Sequence, residues 1–159
     1  MDCCSKDQSN YDYDVLFIGS GSAAFAGAIK ATEFDKKVGI IEKGTLGGTC
    51  VNVGCVPSKT LIRAAETKHR GEYSGFSGIE MGSPVVNFQK LMMEKDSLVE
   101  ELRGAKYYSV LESNENISLI EGEAKFIDNH TLEVAGKKVT SDKIIVTTGS
   151  KPFIPRIKG

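Results

Sequence analysis

The sequence predicts an α/β fold: a Rossmann-like parallel sheet with a crossover helix, joined to a small antiparallel β meander. Three observations predict it. Tyr13 to Gly19 (YDVLFIG) is an unbroken apolar run ending in glycine, and Lys37 to Glu42 (KVGIIE) is a second. Between them, Ser20 to about Glu33 is rich in alanine and other small residues. Strands buried on both faces read as apolar runs rather than as alternation, and a strand–helix–strand unit of about 30 residues is what a parallel crossover needs.

The elements follow in order. Residues 1–12 are polar and read as a flexible arm, and 13–159 as one continuing domain segment. Gly44 to Gly54 is a glycine-rich loop carrying two cysteines. Pro57 suits the first turn of a helix, where its missing N–H costs nothing, and that helix runs to about His69. Arg70 to Pro84 contains four glycines and reads as loop. Phe88, Leu91, Met92, Leu98, Leu102 and Ala105 recur at helical spacing, which predicts one long helix to about Leu111 with its Met and aromatic members in the core. Asn116 to Ile120 is a strand, and Glu123 to Val134 a hairpin turning at Asp128, Asn129 and His130. Lys143 to Gly149 (KIIVTTG) is a further buried strand, after which Pro152 and Pro155 break regular structure.

Composition narrows the function. The 159 residues carry 20 Lys+Arg against 21 Asp+Glu, a formal net charge of −1, so no basic footprint for nucleic acid or anionic membranes is expected. No apolar run reaches the length of a membrane span, and the polar start lacks a secretory core, which makes the cytoplasm the expected compartment. Glycine is over-used, at 17 residues, and clustered at Gly19, Gly21 and Gly27 and again at Gly44, Gly47, Gly48 and Gly54. Such clusters mark turns or places where a backbone comes close to something.

Gly19-Ser20-Gly21-Ser22-Ala23-Ala24 fits the G-x-G-x-x-G/A dinucleotide fingerprint in its required context, after a strand and opening a helix. The first glycine permits the tight turn, the second admits a pyrophosphate, and Ala24 allows the helix to pack on the strand. Free N–H groups at the helix start favour phosphate. Glu42 closes the second strand about 20 residues on, where an acid takes ribose hydroxyls and disfavours a 2′-phosphate. The alternative is a glycine-rich packing turn in an unrelated α/β domain.

The four cysteines are Cys3, Cys4, Cys50 and Cys55, a number that suggests redox or metal chemistry in a reducing compartment. Residues five apart on an ideal helix are separated by about 500° of rotation. Cys50 and Cys55 therefore meet only if the backbone is distorted, which Gly54 and the β-branched Val51 and Val53 favour. Lys59 and a helix N-terminus near Cys55 would stabilise a thiolate. The expected chemistry is dithiol–disulfide exchange beside an electron carrier. Two buried reduced cysteines, or half a zinc site, are the alternatives.

The stretch Gly47-Gly48-Thr49-Cys50-Val51-Asn52-Val53-Gly54-Cys55-Val56-Pro57-Ser58-Lys59 resembles the redox-active segment of the pyridine nucleotide–disulfide oxidoreductases. Thr147-Thr148-Gly149-Ser150 resembles the strand end that closes the family's FAD site. The likeness runs from about Tyr13 to Gly159. Within the family, Ser22-Ala23-Ala24-Phe25, Lys59 to Glu66 and Glu100 to Tyr107 resemble the mercuric reductase branch.

The resemblance implies FAD on Gly19, Ser20, Gly21, Ser22, Ala23 and Ala24, with Glu42 on the adenosine ribose. It extends the site through Lys43, Gly48, Thr49, Cys50 and Lys59, and to Gly122, Ala124, Thr148 and Gly149 from the later strands. Cys55 would be the flavin-side thiolate, Cys50 the exchange thiol facing substrate, and Lys59 the charge that stabilises reduced flavin. The cysteine pair would also be the transient ligands of Hg(II). The implied activity of the full-length form is NADPH-dependent reduction of Hg(II) to Hg(0) by a homodimer. A lipoamide dehydrogenase-like reductase of a small disulfide, or a non-catalytic FAD- or metal-binding module, are the alternatives. The NADPH domain, the dimerisation domain and its catalytic histidine have no counterpart here, so this chain reads as an N-terminal fragment, incomplete and inactive alone. His69 and His130 are expected to be solvent-exposed, and Cys3-Cys4 either an incidental pair or a mercury-collecting arm.

Overall fold

The structure, a computed structural model, describes residues 10–157. The arm with Cys3 and Cys4 lies outside the described residues. The chain forms two compact units, one joining the chain up to Gly48 with the chain from Asn114 on, the other Thr49–Ser113.

The first unit is built on a six-stranded sheet. Strand β1 (Tyr13–Ile18) leads into helix α1 (Ser22–Thr32), which returns to β2 (Val38–Glu42). After the second unit come β3 (Ile117–Glu121), β4 (Ala124–Phe126), β5 (Thr131–Val134) and β6 (Lys137–Val146). The strand order is β3-β2-β1-β6-β5-β4. β3, β2, β1 and β6 run parallel, while β6, β5 and β4 form the antiparallel meander. The α/β class and its two-part sheet are as the sequence predicts.

Two apolar layers hold the sheet. On the α1 side a Cβ added at Gly27 would lie 2.7 Å from the Phe17 ring, so the glycine lets helix and strand approach closely. Ala24, Phe25 and Ala28 are buried on that helix. On the other side Leu16, Ile41, Leu132 and Val134 form a buried cluster, with Ile18, Ile120 and Ile144 packed on it. Meander residues thus complete the core over the parallel strands.

β6 departs from expectation. It begins at Lys137, where the sequence predicts a strand only from Lys143, and it ends at Val146. The reason lies in the preceding turn. Val134 pairs with Lys137 across a two-residue loop in which Ala135 (φ 50°) and Gly136 (φ 77°) are both left-handed. Such a hairpin is usually announced by Asn-Gly or Asp-Gly, and alanine conceals it. The Asp128–His130 turn is found as expected, with Asp128 Oδ1 accepting from the His130 N–H at 2.8 Å.

The second unit is helical. It contains α2 (Gly48–Asn52, whose first residue belongs to the first unit), α3 (Cys55–Glu72), α4 (Phe88–Arg103), a π-helical turn at Gly104–Tyr108 and α5 (Ser109–Ser113). Two expectations are corrected here. The glycine-rich loop to Gly54 contains a helix, α2, and the long helix to Leu111 is broken by the π turn. Val99 and Tyr107 are both buried, at 6% exposure each. On an uninterrupted α-helix they would point about 80° apart, and the extra residue of a π turn brings them onto one face. Phe88, expected in the core, is 64% exposed, and Val99 is the one buried residue within α4.

Candidate functional site

In the first unit, β1 ends in Gly19 with φ 103°, a value that strains any other residue. Its N–H donates to the Ile41 carbonyl at 2.7 Å, and a Cβ there would lie 2.6 Å from the Thr147 carbonyl oxygen. Thr147 follows β6, and its N–H and hydroxyl both donate to the Ile18 carbonyl, at 2.9 and 3.0 Å. Gly19 is therefore the glycine required by the fold.

Gly21 differs. It caps α1 with φ −73° and ψ 179°, without a side-chain cap, and a Cβ there would meet nothing within 4 Å. Neither strain nor packing demands glycine at this position. The open space above it is where the fingerprint would admit a pyrophosphate. Ser22 and Ala23 are exposed, while Ala24 is fully buried. Gly48 (φ 68°) comes so near that its Cβ would lie 2.8 Å from the Gly21 Cα.

Glu42 is half-buried at the end of β2. Its Oε2 accepts from the Ser20 N–H at 3.0 Å and the Ser20 hydroxyl at 2.6 Å, and its Oε1 accepts from the Gly44 N–H at 2.8 Å. Gly122 (φ 144°) donates its N–H to the Glu42 carbonyl at 2.9 Å. A cavity of about 160 Å³ is lined by Gly19, Glu42, Lys43, Gly122, Ala124 and Thr148, together with Ile18, Ile41 and Glu123. Six residues proposed from sequence thus share one cavity at the carboxyl ends of parallel strands, the place where open α/β sheets take ligands. Gly149 (φ 70°) is exposed beyond it. The glycine cradle at Gly21, the uncapped helix start and the hydrogen-bonded acid fit a dinucleotide such as FAD.

Sequence reasoning missed Glu123. Its Oε1 takes an ion pair from Lys43 Nζ at 2.9 Å, which raises the Lys43 pKa and lowers that of Glu123, in each case chiefly through this hydrogen bond. Only the adjacency of β2 and β3 brings these two together, so no local signal could have linked them.

In the second unit, Thr49, Cys50, Cys55 and Lys59 are all exposed. The carbonyl of Thr49 accepts from both Val53 and Gly54, at 3.0 and 2.7 Å, which closes α2. Gly54 then takes φ −106° and ψ −109°, outside helical values, and α3 begins at Cys55 itself. This is the backbone distortion that the cysteine spacing requires. A Cβ at Gly54 would meet the Thr49 carbonyl oxygen at 2.9 Å, so glycine is needed there. Both thiols are free and exposed, which removes the reading of two buried cysteines. Among the described residues no group of three or more His, Cys, Asp or Glu could hold a metal ion.

Cys50 holds its proton above the ordinary thiol range. The main cause is its hydrogen bond to Cys55, followed by desolvation and the Cys55 charge, while the Lys106 ammonium acts in the opposite sense. Lys106 sits in the π turn and was not foreseen. Arg103, at the end of α4, donates from Nε to Asn52 Oδ1 at 2.9 Å and so ties that helix to α2. His69 is exposed as expected, but His130 is half-buried, with Nδ1 3.0 Å from the Ser141 carbonyl and its ring stacked on Tyr11. The meander that buries Ser141 also covers this ring.

Known proteins give the same picture. Residues 13–159 match the family described as pyridine nucleotide-disulphide oxidoreductase. A mercuric reductase of Lysinibacillus sphaericus is 49% identical over 93% of this chain and 27% of its own length. One of Bacillus cereus is 44% identical over 99% of this chain and 25% of its own. Among solved structures, the HOCl-induced flavoprotein disulfide reductase RclA from Escherichia coli superposes with a TM-score of 0.75 at 31% identity, covering 92% of this chain and 30% of that one. The chain spans about a quarter to a third of the length of these relatives. With residues 13–159 matched by the family as a whole, this chain belongs to the pyridine nucleotide-disulphide oxidoreductase family.

Proposed function

We propose that residues 13–159 are the first segment of an FAD-binding domain, and that a full-length protein of the relatives' size uses it for NADPH-dependent reduction of Hg(II) to Hg(0). The observation that carries this reading is the pair of free, hydrogen-bonded thiols Cys50 and Cys55, set across the Gly54 break. Similarity to mercuric reductases at 44–49% identity supports the substrate.

Gly19, Ser20, Gly21, Ser22, Ala23 and Ala24 would hold the pyrophosphate, and Glu42 the adenosine ribose. Lys43, Gly48, Thr49, Cys50, Lys59, Gly122, Ala124, Thr148 and Gly149 would complete the cofactor's surroundings. Bound there, FAD supplies two-electron transfer between a nicotinamide and the cysteine pair. The chain's own residues do the rest. Cys50 and Cys55 lose their protons on binding the soft Hg(II) ion as thiolates. Their exposure lets the ion enter, and Lys106 offsets negative charge on Cys50. The net change, two electrons from NADPH to the bound ion, would leave Hg(0), which carries no charge to hold it on the thiolates, with NADP⁺ and one proton as the other products. The full-length protein acts as a cytoplasmic homodimer in this reading, and among the described residues no helix is long and apolar enough to cross a membrane.

The similarity to a disulfide reductase favours a second reading, in which the same dithiol reduces a small disulfide. NADPH oxidation by the full-length form separates them. Oxidation that depends on Hg(II) and yields volatile mercury supports the first, and oxidation that depends on a disulfide and ignores Hg(II) overturns it. A chain that retains FAD without turnover favours a flavin- or metal-binding module for this polypeptide alone.

A further inference from the structure

We propose that Ser20 is a positioning residue, whose hydroxyl sets the Glu42 carboxylate for ribose and clamps the Gly47 turn to it. The proposal rests on the dinucleotide reading above and assigns the work to a side chain that does not face the ligand.

Ser20 is 1% exposed and does not line the cavity that Glu42 lines. Its hydroxyl donates to Glu42 Oε2 at 2.6 Å and accepts from the Gly47 N–H at 3.2 Å. Its own N–H adds a second bond to the same carboxylate oxygen at 3.0 Å. A carboxylate offers about four lone-pair sites. Ser20 takes two on Oε2 and the Gly44 N–H takes one on Oε1, which leaves one on Oε1 for a ribose hydroxyl. A hydrogen bond of 2.6 Å to a charged acceptor is of the stronger kind and resists rotation of the carboxylate. Without the hydroxyl, Oε2 keeps only the backbone donor and the carboxylate turns more freely. The buried Gly47 N–H loses its acceptor at the same time. Gly47 has φ 102°, which glycine adopts without strain, and its N–H ties this turn, next to the Gly48–Gly21 contact, to the Ser20 hydroxyl.

The test is calorimetric titration of the flavin-free full-length form with ADP and with 2′,3′-dideoxy-ADP, which lacks the ribose hydroxyls. Wild type is expected to prefer ADP. Ser20→Ala and Ser20→Gly are expected to shrink that preference by about tenfold, the size of one charge-assisted hydrogen bond. Affinity for the dideoxy compound should fall by clearly less than affinity for ADP. Amide exchange without nucleotide gives a second readout, in which the Gly47 N–H exchanges faster in both variants. A parallel loss of affinity for both compounds would overturn the proposal, because it marks a merely structural role. An unchanged preference would overturn it as well, and failure of both variants to fold would make the hydroxyl a folding requirement instead. If the full-length form binds neither ADP nor FAD, the dinucleotide reading itself falls, and this inference with it.

Discussion

Two glycines of one motif should respond to alanine in opposite ways. At Gly19 the added Cβ meets the Thr147 carbonyl oxygen at 2.6 Å, its carbon at 3.0 Å and the Thr148 Cα at 3.3 Å, all backbone atoms that cannot rotate aside. The φ of 103° adds strain of about 1–2 kcal/mol for a non-glycine residue. Forcing the ends of β1 and β6 apart adds about 1–3 kcal/mol, as overpacking does elsewhere. The sum for Gly19→Ala is about 2–5 kcal/mol, a large part of the stability of an ordinary domain. Gly21→Ala meets nothing within 4 Å at φ −73°. Alanine is a poorer N-cap than glycine by roughly 0.5–1 kcal/mol, while the stiffer unfolded chain returns about 0.4–1 kcal/mol. The expected net is close to zero. Urea unfolding measures both, and titration with FAD measures binding. Gly19→Ala should unfold at much lower urea. Gly21→Ala should keep its midpoint and lose flavin affinity at least tenfold, because its methyl group occupies the approach to the backbone. Equal destabilisation by the two, or full FAD affinity in Gly21→Ala, would refute the reasoning.

Three further outcomes are expected. Gly27→Ala drives a methyl group to 2.7 Å from the Phe17 ring and should cost about 1–3 kcal/mol by thermal or urea unfolding, less if the ring tilts. The alkylation rate of Cys50 against pH should shift to lower pH in Cys55→Ala, which removes the hydrogen bond that holds the proton, and to higher pH in Lys106→Met, which removes the opposing charge. Asp12 accepts from the Thr140 N–H and hydroxyl at 2.9 and 2.8 Å, and these bonds lower its pKa. A depressed folded-state pKa gives stability that is present above the ordinary carboxylate range and lost as pH falls through the folded value. Asp12→Asn should therefore flatten the acid side of the stability–pH curve, by less than about 1 kcal/mol because the pair is exposed.

The strands and the first helix were legible in the sequence because their signals are local. An apolar run that ends in glycine, small residues over one helical stretch, and an acid at a fixed distance need no knowledge of distant contacts. The break between Cys50 and Cys55 was legible for the same reason, since the spacing is incompatible with a regular helix and Gly54 supplies the freedom. The early start of β6 was hidden because its turn uses Ala135 in a left-handed conformation that alanine rarely adopts. The π turn was hidden because it satisfies a packing phase, that of Val99 and Tyr107, which helical periodicity cannot express.

By itself, then, the sequence determined the fold class, and it singled out Gly19 to Ala24, Cys50 and Cys55 as the residues of the proposed site. Each follows from the covalent geometry and spacing of neighbouring residues. The tertiary structure alone decided which groups act on them. Strand adjacency pairs Lys43 with Glu123, and helix contact ties Arg103 to Asn52. The folded turn buries the Ser20 hydroxyl between Glu42 and Gly47. Hydrogen bonds and charges act over a few ångströms of space, and only folding brings residues so far apart in the chain within that reach.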